Sequence, residues 1–540
     1  MKRTDARTPV LAAPPRGSGR RIRRSAAALL GLAFAGAWAG AAPRPGDPPP
    51  ARCAAECAGT AAASSRSELH PVPARPVLSE HSIRLGDDAL RYTAEIGRVA
   101  IRDAATGEAR GYMGYIAYTI PAEGKAVRPL TFVWNGGPGA NSSLLHFEVA
   151  GPKRGEGERL VDNAETWLAF TDLVFVDPIG TGFSRPAKAE YAQEFYGTVG
   201  DVASVTEFVR AWRLLHGSLE APIFLAGESW GAGRAASVGY ALLEQDIPVR
   251  GLVLISGGAG LPEPPIPPEL RAALKIVDLA PVALHHGKLD GEVGGNAERV
   301  RRSAERWARS VYAPALARAE ALSERERTRI VTELARYSGL PVDRVDRRTL
   351  TFTPRQYLEG LLGAEGKTLN TFDMRLTGEP ARPFAAAIGS YLRYELGYLT
   401  DLPYAGLAGE ARGYAPNGNH PQGVGARWNY ATADVSPEAM EKAIREAIER
   451  GGGPPKLGPP LPATAEAVEL APELRVLVAA GRFDSLASCT VNAEIERNLP
   501  PPLGSAMTFR CYEGGHMFYR DAPSRLRFSR DVAALIGGTG

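Results

Sequence analysis

Four short apolar runs constrain the chain more than any other feature: 130–134 (LTFVW), 173–176 (LVFV), 223–227 (IFLAG) and 252–256 (LVLIS). Each is too short for a buried helix and lacks the polar alternation of a half-exposed strand. They therefore read as strands covered on both faces. Helix-favouring stretches at 199–216 and 232–245 separate the last three runs, and this alternation predicts a mostly parallel sheet under helices on both sides, an α/β fold. Ahead of them, 98–102 (RVAIR) and 112–119 (YMGYIAYT) are β-branched and aromatic and suggest an antiparallel opening.

After residue 262 the rhythm stops, and a Pro-rich turn (LPEPPIPPEL) leads into charged, helix-favouring sequence to about residue 450. Strands return at 474–481 (LRVLVAAG) and 507–512 (MTFRCY), followed by an amphipathic helix near 523–536. The expected organisation is one α/β domain in two parts, 79–261 and 467–540, interrupted by a helical lid at 262–466.

The first 24 residues carry eight basic side chains and one acid, and 25–41 (SAAALLGLAFAGAWAGA) carry no charge. That pattern is an export leader, with Ala39-Gly40-Ala41 as the expected cleavage site. At 17 residues, many of them Ala and Gly, the stretch is short and weakly apolar for a membrane span. The paired arginines leave both the general and the twin-arginine routes open. Residues 42–78 are Pro- and Ala-rich and aperiodic, the composition of a disordered linker. The chain's 63 Lys+Arg and 60 Asp+Glu give a net +3 that the leader more than accounts for. The remainder is mildly acidic, which argues against a nucleic-acid partner. A periplasmic or secreted location follows, with no stable membrane insertion once the leader is removed. Four cysteines in an exported chain make disulfides possible. Cys489 and Cys511 flank the late motifs and are a candidate pair, while the Cys53–Cys57 spacing lacks a nearby His and is assigned no metal.

Gly227-Glu228-Ser229-Trp230-Gly231 fits G-x-S-x-G, directly after an apolar strand and directly before a helix, the setting of a nucleophile elbow. A serine hydroxyl needs a base and an orienting acid. His285, His286, His420 and His516 follow Ser229, and the first three fall in the insertion. His516 (Glu513-Gly514-Gly515-His516-Met517) follows the last strand and Asp484 (Gly481-Arg482-Phe483-Asp484) the one before it, in the order Ser, acid, His. Asn135-Gly136-Gly137-Pro138-Gly139 follows the 130–134 strand, where backbone N–H groups would form an oxyanion hole.

Together with Trp134 and Asp177-Pro178-Ile179-Gly180-Thr181-Gly182-Phe183-Ser184, these motifs resemble the serine carboxypeptidases, peptidase family S10, in the family's order. Tyr92-Thr93-Ala94 and Phe372-Asp373-Met374-Arg375 resemble its bacterial branch. The resemblance implies an α/β-hydrolase fold and removal of C-terminal residues from peptides through an acyl-enzyme, with Ser229, Asp484 and His516 as the triad. It implies oxyanion donors at the Gly137 and Trp230 backbones, and a clamp for the substrate's terminal carboxylate from Asn135, Gly136 and Glu228. Glu228 and a bound carboxylate would share a proton, so an acidic optimum is expected on peptides with a free C-terminus, without metal or organic cofactor.

The sequence departs from the family at Trp230, where Tyr is usual, and at Ala140 and Ala232. Glu148 lies near a further carboxylate-recognising Glu of eukaryotic members, but the spacing to Gly151-Pro152 is one residue off, and it is left unassigned. The alternatives are an esterase or acyltransferase on the same scaffold, and an inactive binding protein that keeps the fold.

Overall fold

The computed structural model describes residue 73 and residues 75–121, 127–289, 295–378, 382–407, 423–432, 440–441, 444–445 and 461–538. The expected leader, Cys53, Cys57 and His420 lie outside the described residues. So does most of the expected linker, but its last residues do not: Val77 and Leu78 already belong to a strand.

The described residues contain twelve strands: β1 (Val77–Leu85), β2 (Asp88–Arg102), β3 (Ala109–Thr119), β4 (Leu130–Trp134), β5 (Lys153–Glu156), β6 (Arg159–Asp162), β7 (Asp172–Asp177), β8 (Arg185–Pro186), β9 (Ile223–Glu228), β10 (Val249–Ile255), β11 (Arg475–Gly481) and β12 (Met507–Tyr512). Nine form one path, β1-β2-β3-β7-β4-β9-β10-β11-β12, with β8 paired to β3, while β5 and β6 make a separate hairpin. β1, β2, β3 and β7 pair antiparallel. From β7 through β12 every pairing on the path is parallel. An antiparallel entry into a parallel run, with a strand–turn–helix elbow after a central strand, is the α/β-hydrolase fold.

The strands alternate between two cores. In β9, Ile223 and Leu225 face one and Phe224 and Ala226 the other, and in β10 Leu252 and Leu254 are likewise opposed to Val253 and Ile255. All five residues of β4 and all six of β9 are buried, which is why these runs are apolar without alternation. One layer of helix includes α1 (Thr198–Leu215) and α2 (Trp230–Leu243).

Between β10 and β11 the chain runs through α3 (Pro268–His285), α4 (Ala297–Trp307) and α5 (Glu324–Ser338). α5 starts in a Ser323/Glu326 capping box and stops at Gly339, whose φ of 74° suits glycine at the position after a helix. A small third core, including Val282, Leu340, Tyr357 and Met374, holds part of this region together. After β11 comes α6 (Cys489–Asn498), which packs on α3 and β12, and α7 (Ala522–Gly537) closes the described chain. No helix among the described residues is long and apolar enough to cross a membrane.

Candidate active site

β9 delivers Ser229 to the carboxyl end of the parallel strands, and α2 begins at the next residue. Ser229 takes φ 58° and ψ −126°, a strained conformation for a residue with a side chain, and is held there by its N–H donating to Ile255 O at 2.7 Å. The flanking glycines are required by space. A Cβ on Gly227 would stand 1.9 Å from the Gly231 carbonyl oxygen, and one on Gly231 2.7 Å from that of Asn135. The spacing that marks the motif is thus the condition for the turn to close.

His516 and Asp484 are both buried and joined by a 2.7 Å bond between Nδ1 and Asp484 Oδ2. The second carboxylate oxygen of Asp484 accepts from Leu486 N at 2.9 Å. Burial acts to lower the His516 pKa. The charge and hydrogen bond of Asp484, and then the charge of Glu228, outweigh it, so the net shift is upward. The bond at Nδ1 leaves Nε2 to face the cavity side. That nitrogen is buried and has no hydrogen-bond partner among the described residues. The His516 loop is braced from outside: its N–H donates to Phe372 O at 2.5 Å, and Ser256 Oγ donates to its carbonyl at 2.7 Å. A Cβ on Gly515 would lie 2.2 Å from Phe372 O. The Phe372–Arg375 stretch singled out in the sequence is therefore a buttress for His516.

The 135–139 loop lies directly on the elbow. A Cβ on Gly136 would be 2.5 Å from both Trp230 N and Glu228 O. Gly137, next in line, has φ 106°. Trp230 is the first residue of α2, so its N–H has no intrahelical acceptor and is available at a helix N-terminus. Asn135 donates its amide to Glu228 Oε2 and accepts from Leu145 N through Oδ1. Arg234 fixes the loop from behind: Nη1 donates to Asn135 O at 2.8 Å and Nε to Asp201 at 2.5 Å. Asp177 plays a similar supporting part, accepting from Ser142 N and Oγ at 2.8 and 2.9 Å.

Glu228 is buried at 2% exposure. Its Oε1 accepts from Tyr519 Oη at 2.6 Å. Burial pushes its pKa above the usual carboxylate range, against the opposing pull of His516 and the Tyr519 hydrogen bond, and nearby Glu148 adds to the rise. Glu148, unassigned from sequence, is itself buried, and Arg520 grips it at 2.6 and 3.0 Å, with Arg382 Nε at 3.4 Å. Tyr519 and Arg520 follow His516 by three and four residues, but nothing in their spacing says that they turn toward acids from β9 and the 146–150 segment.

All eight predicted site residues thus converge on the turn after β9: Ser229, Asp484, His516, Gly137, Trp230, Asn135, Gly136 and Glu228. Of the other histidines that follow Ser229, His285 is exposed and His286 Nε2 bonds Met374 O at 2.8 Å. Cys489 and Cys511 form a disulfide. Among the described residues no group of three or more His, Cys, Asp or Glu is placed to hold a metal ion. A cavity of about 640 Å³ opens beside Ser229, Trp230, Asp484 and His516 and extends under α3 and α6. The arrangement joins a strained serine, an oriented imidazole and a buried, protonatable carboxyl in one corner, the parts of an acyl-transfer site.

Residues 109–245 match the family model described as serine carboxypeptidase, Peptidase S10. The match includes the Asn135–Gly139 loop, the Asp177–Ser184 motif and the elbow. A curated relative, the pheromone-processing carboxypeptidase KEX1 of Verticillium alfalfae, is 32% identical over 123 residues. That alignment covers 22% of this chain and 19% of the relative's length. Among solved structures, the prohormone-processing carboxypeptidase KEX1(delta)p of Saccharomyces cerevisiae aligns at TM-score 0.47 and 16% identity, covering 83% of this chain and 91% of that one. The proline iminopeptidase of Mycobacterium smegmatis aligns at TM-score 0.30 and 14% identity, covering 85% and 98%.

Proposed function

We propose that the chain is an exported serine carboxypeptidase, with the organisation 79–261, lid 262–466 and 467–540, and with a place in the bacterial branch of its family. The observation that carries this reading is Glu228, a buried carboxyl of raised pKa bonded to Asn135 in the position next to Ser229. A general esterase has no use for an acid there. An exopeptidase does, because a protonated Glu228 hydrogen-bonds the substrate's terminal carboxylate, whereas an ionised one repels it.

The chemistry follows from the placement. His516 Nε2 takes the Ser229 proton as the hydroxyl oxygen attacks the last peptide carbonyl, and Asp484 stabilises the imidazolium. The Gly137 and Trp230 N–H groups receive the developing oxyanion. His516 then passes the proton to the leaving amino group, freeing the C-terminal residue and leaving the acyl group on Ser229. Water, deprotonated by the same imidazole, releases the shortened peptide. No step calls on a metal or organic cofactor.

Blocked dipeptides and their C-terminal amides, assayed across pH, test this. Free-acid peptides should be preferred at low pH, and Ser229→Ala should abolish turnover. Equal rates on acids and amides at every pH would favour the esterase or acyltransferase reading. Absence of turnover on peptides and esters alike would favour a binding protein.

A further inference from the structure

We propose that the cavity beside Ser229 is the subsite for the residue preceding the scissile bond, and that it selects an acidic side chain through Lys275 and Arg271. The assignment rests on the carboxypeptidase reading, which fixes the direction of the substrate. Asn135, Gly136 and Glu228, which would hold the terminal carboxylate, are absent from the cavity wall, while Ser229, Trp230 and His516 form one end of it. With the terminal residue held by the clamp, the cavity is left for the acyl side of the peptide. At about 640 Å³ it is large enough for more than one residue.

Its acids are already engaged by neighbours and its cations are not. Two acids lie in the wall, Asp278 and Asp484. Asp484 is committed to His516. Asp278 accepts from Thr490 Oγ1 at 2.7 Å, from Thr490 N at 3.3 Å and from Ser488 Oγ, and burial raises its pKa. Arg271 and Lys275 stand one turn apart on the first half of α3, and both line the cavity. Among the described residues neither forms an ion pair or a side-chain hydrogen bond. Enclosure by the wall and the Arg271 charge both lower the Lys275 pKa.

Like charges at i and i+4 disfavour a helix. Two unpartnered cations so placed, against local preference, are offset by an anion brought into the cavity. In an acyl-side pocket that anion is the carboxylate of a Glu or Asp side chain. Apolar residues such as Leu279, Phe352 and Ile495 also line the wall and suit the rest of the peptide.

The test uses N-blocked dipeptides ending in Ala and differing only in the first residue: Glu, Gln, Leu or Lys. A second set keeps Leu first and varies the last residue between Glu and Gln. Glu should exceed its isostere Gln in kcat/KM by roughly tenfold in the first set, with no such ratio in the second. Lys275→Met and Arg271→Met should each reduce the Glu/Gln ratio, and Lys275→Glu should turn the preference toward Lys, with thermal midpoints confirming that the variants fold. Cleavage with Gln equal to Glu would overturn the subsite and leave the peptidase reading standing. A preference confined to the second set would overturn the assigned side of the bond. No cleavage of any peptide would remove the peptidase reading and this assignment with it.

Discussion

Tyr519 Oη donates to Glu228 Oε1 at 2.6 Å, so the loop that carries His516 also holds the carboxyl beside Ser229. Base and carboxyl are therefore positioned by one segment. The hydrogen bond favours the ionised form of Glu228, and its contribution is to lower a pKa that burial raises. Tyr519→Phe should consequently raise that pKa further. Peptide binding would persist to higher pH than in the parent, seen as a shift of the alkaline limb of kcat/KM. The lost hydroxyl also leaves a buried acceptor short of a partner, at a stability cost of about 1–3 kcal/mol measurable by urea unfolding.

Glu228→Gln separates the two roles of that charge. In the parent, KM for free-acid peptides should rise as pH climbs through the Glu228 pKa, because the carboxylate then repels the substrate's own. The amide variant should lose this alkaline limb while binding peptides less well, and ester hydrolysis should be spared. Glu228 also raises the His516 pKa. Its removal should move the acid limb, where the base becomes protonated, to lower pH on every substrate. An unchanged acid limb in pH–rate profiles would show that the two groups do not interact.

Asp484→Asn should lower kcat about ten-thousandfold with little change in KM. An amide nitrogen at the Oδ2 position would donate to Nδ1, forcing the proton onto Nε2 and removing the acceptor that Ser229 needs. The loss of the Asp484 charge also removes the main force raising the His516 pKa. NMR titration of the imidazole should therefore show a lower value than in the parent.

What was legible in the sequence was local. The β9–Ser229–α2 elbow is written in five consecutive residues because glycines at 227 and 231 are a steric condition of one turn. β4, β9 and β11 were legible because their burial is continuous or nearly so along the run. β1, by contrast, alternates between exposed and partly buried positions at the sheet's edge, and its mixed sequence VLSEHSIRL let the expected linker run two residues into it. Tyr519 meets Glu228 across 291 residues of chain, and Glu148 meets Arg520 across 372, through folds of the backbone that no spacing rule encodes. Arg271 and Lys275 look in sequence like a solvated helix face. Only the placement of α3 over the Ser229 end of the sheet turns that face into a cavity wall.

The Cys489–Cys511 disulfide ties the start of α6 to β12, and so joins the segments that carry Asp484 and His516. Each half-cystine is a few residues from one member of the pair. The bridge closes a segment of 22 residues, for which loop-closure entropy in the unfolded chain gives about 3 kcal/mol of stabilisation. Replacing both cysteines with serine should lower unfolding stability by about that amount and, because the bridge also restrains the Asp484–His516 geometry, reduce kcat more than it raises KM. A reductant should bring the parent to the same stability and rate while leaving the double variant unchanged. A variant that loses stability but keeps full kcat would show that β11 and β12 alone hold the acid and the base in register.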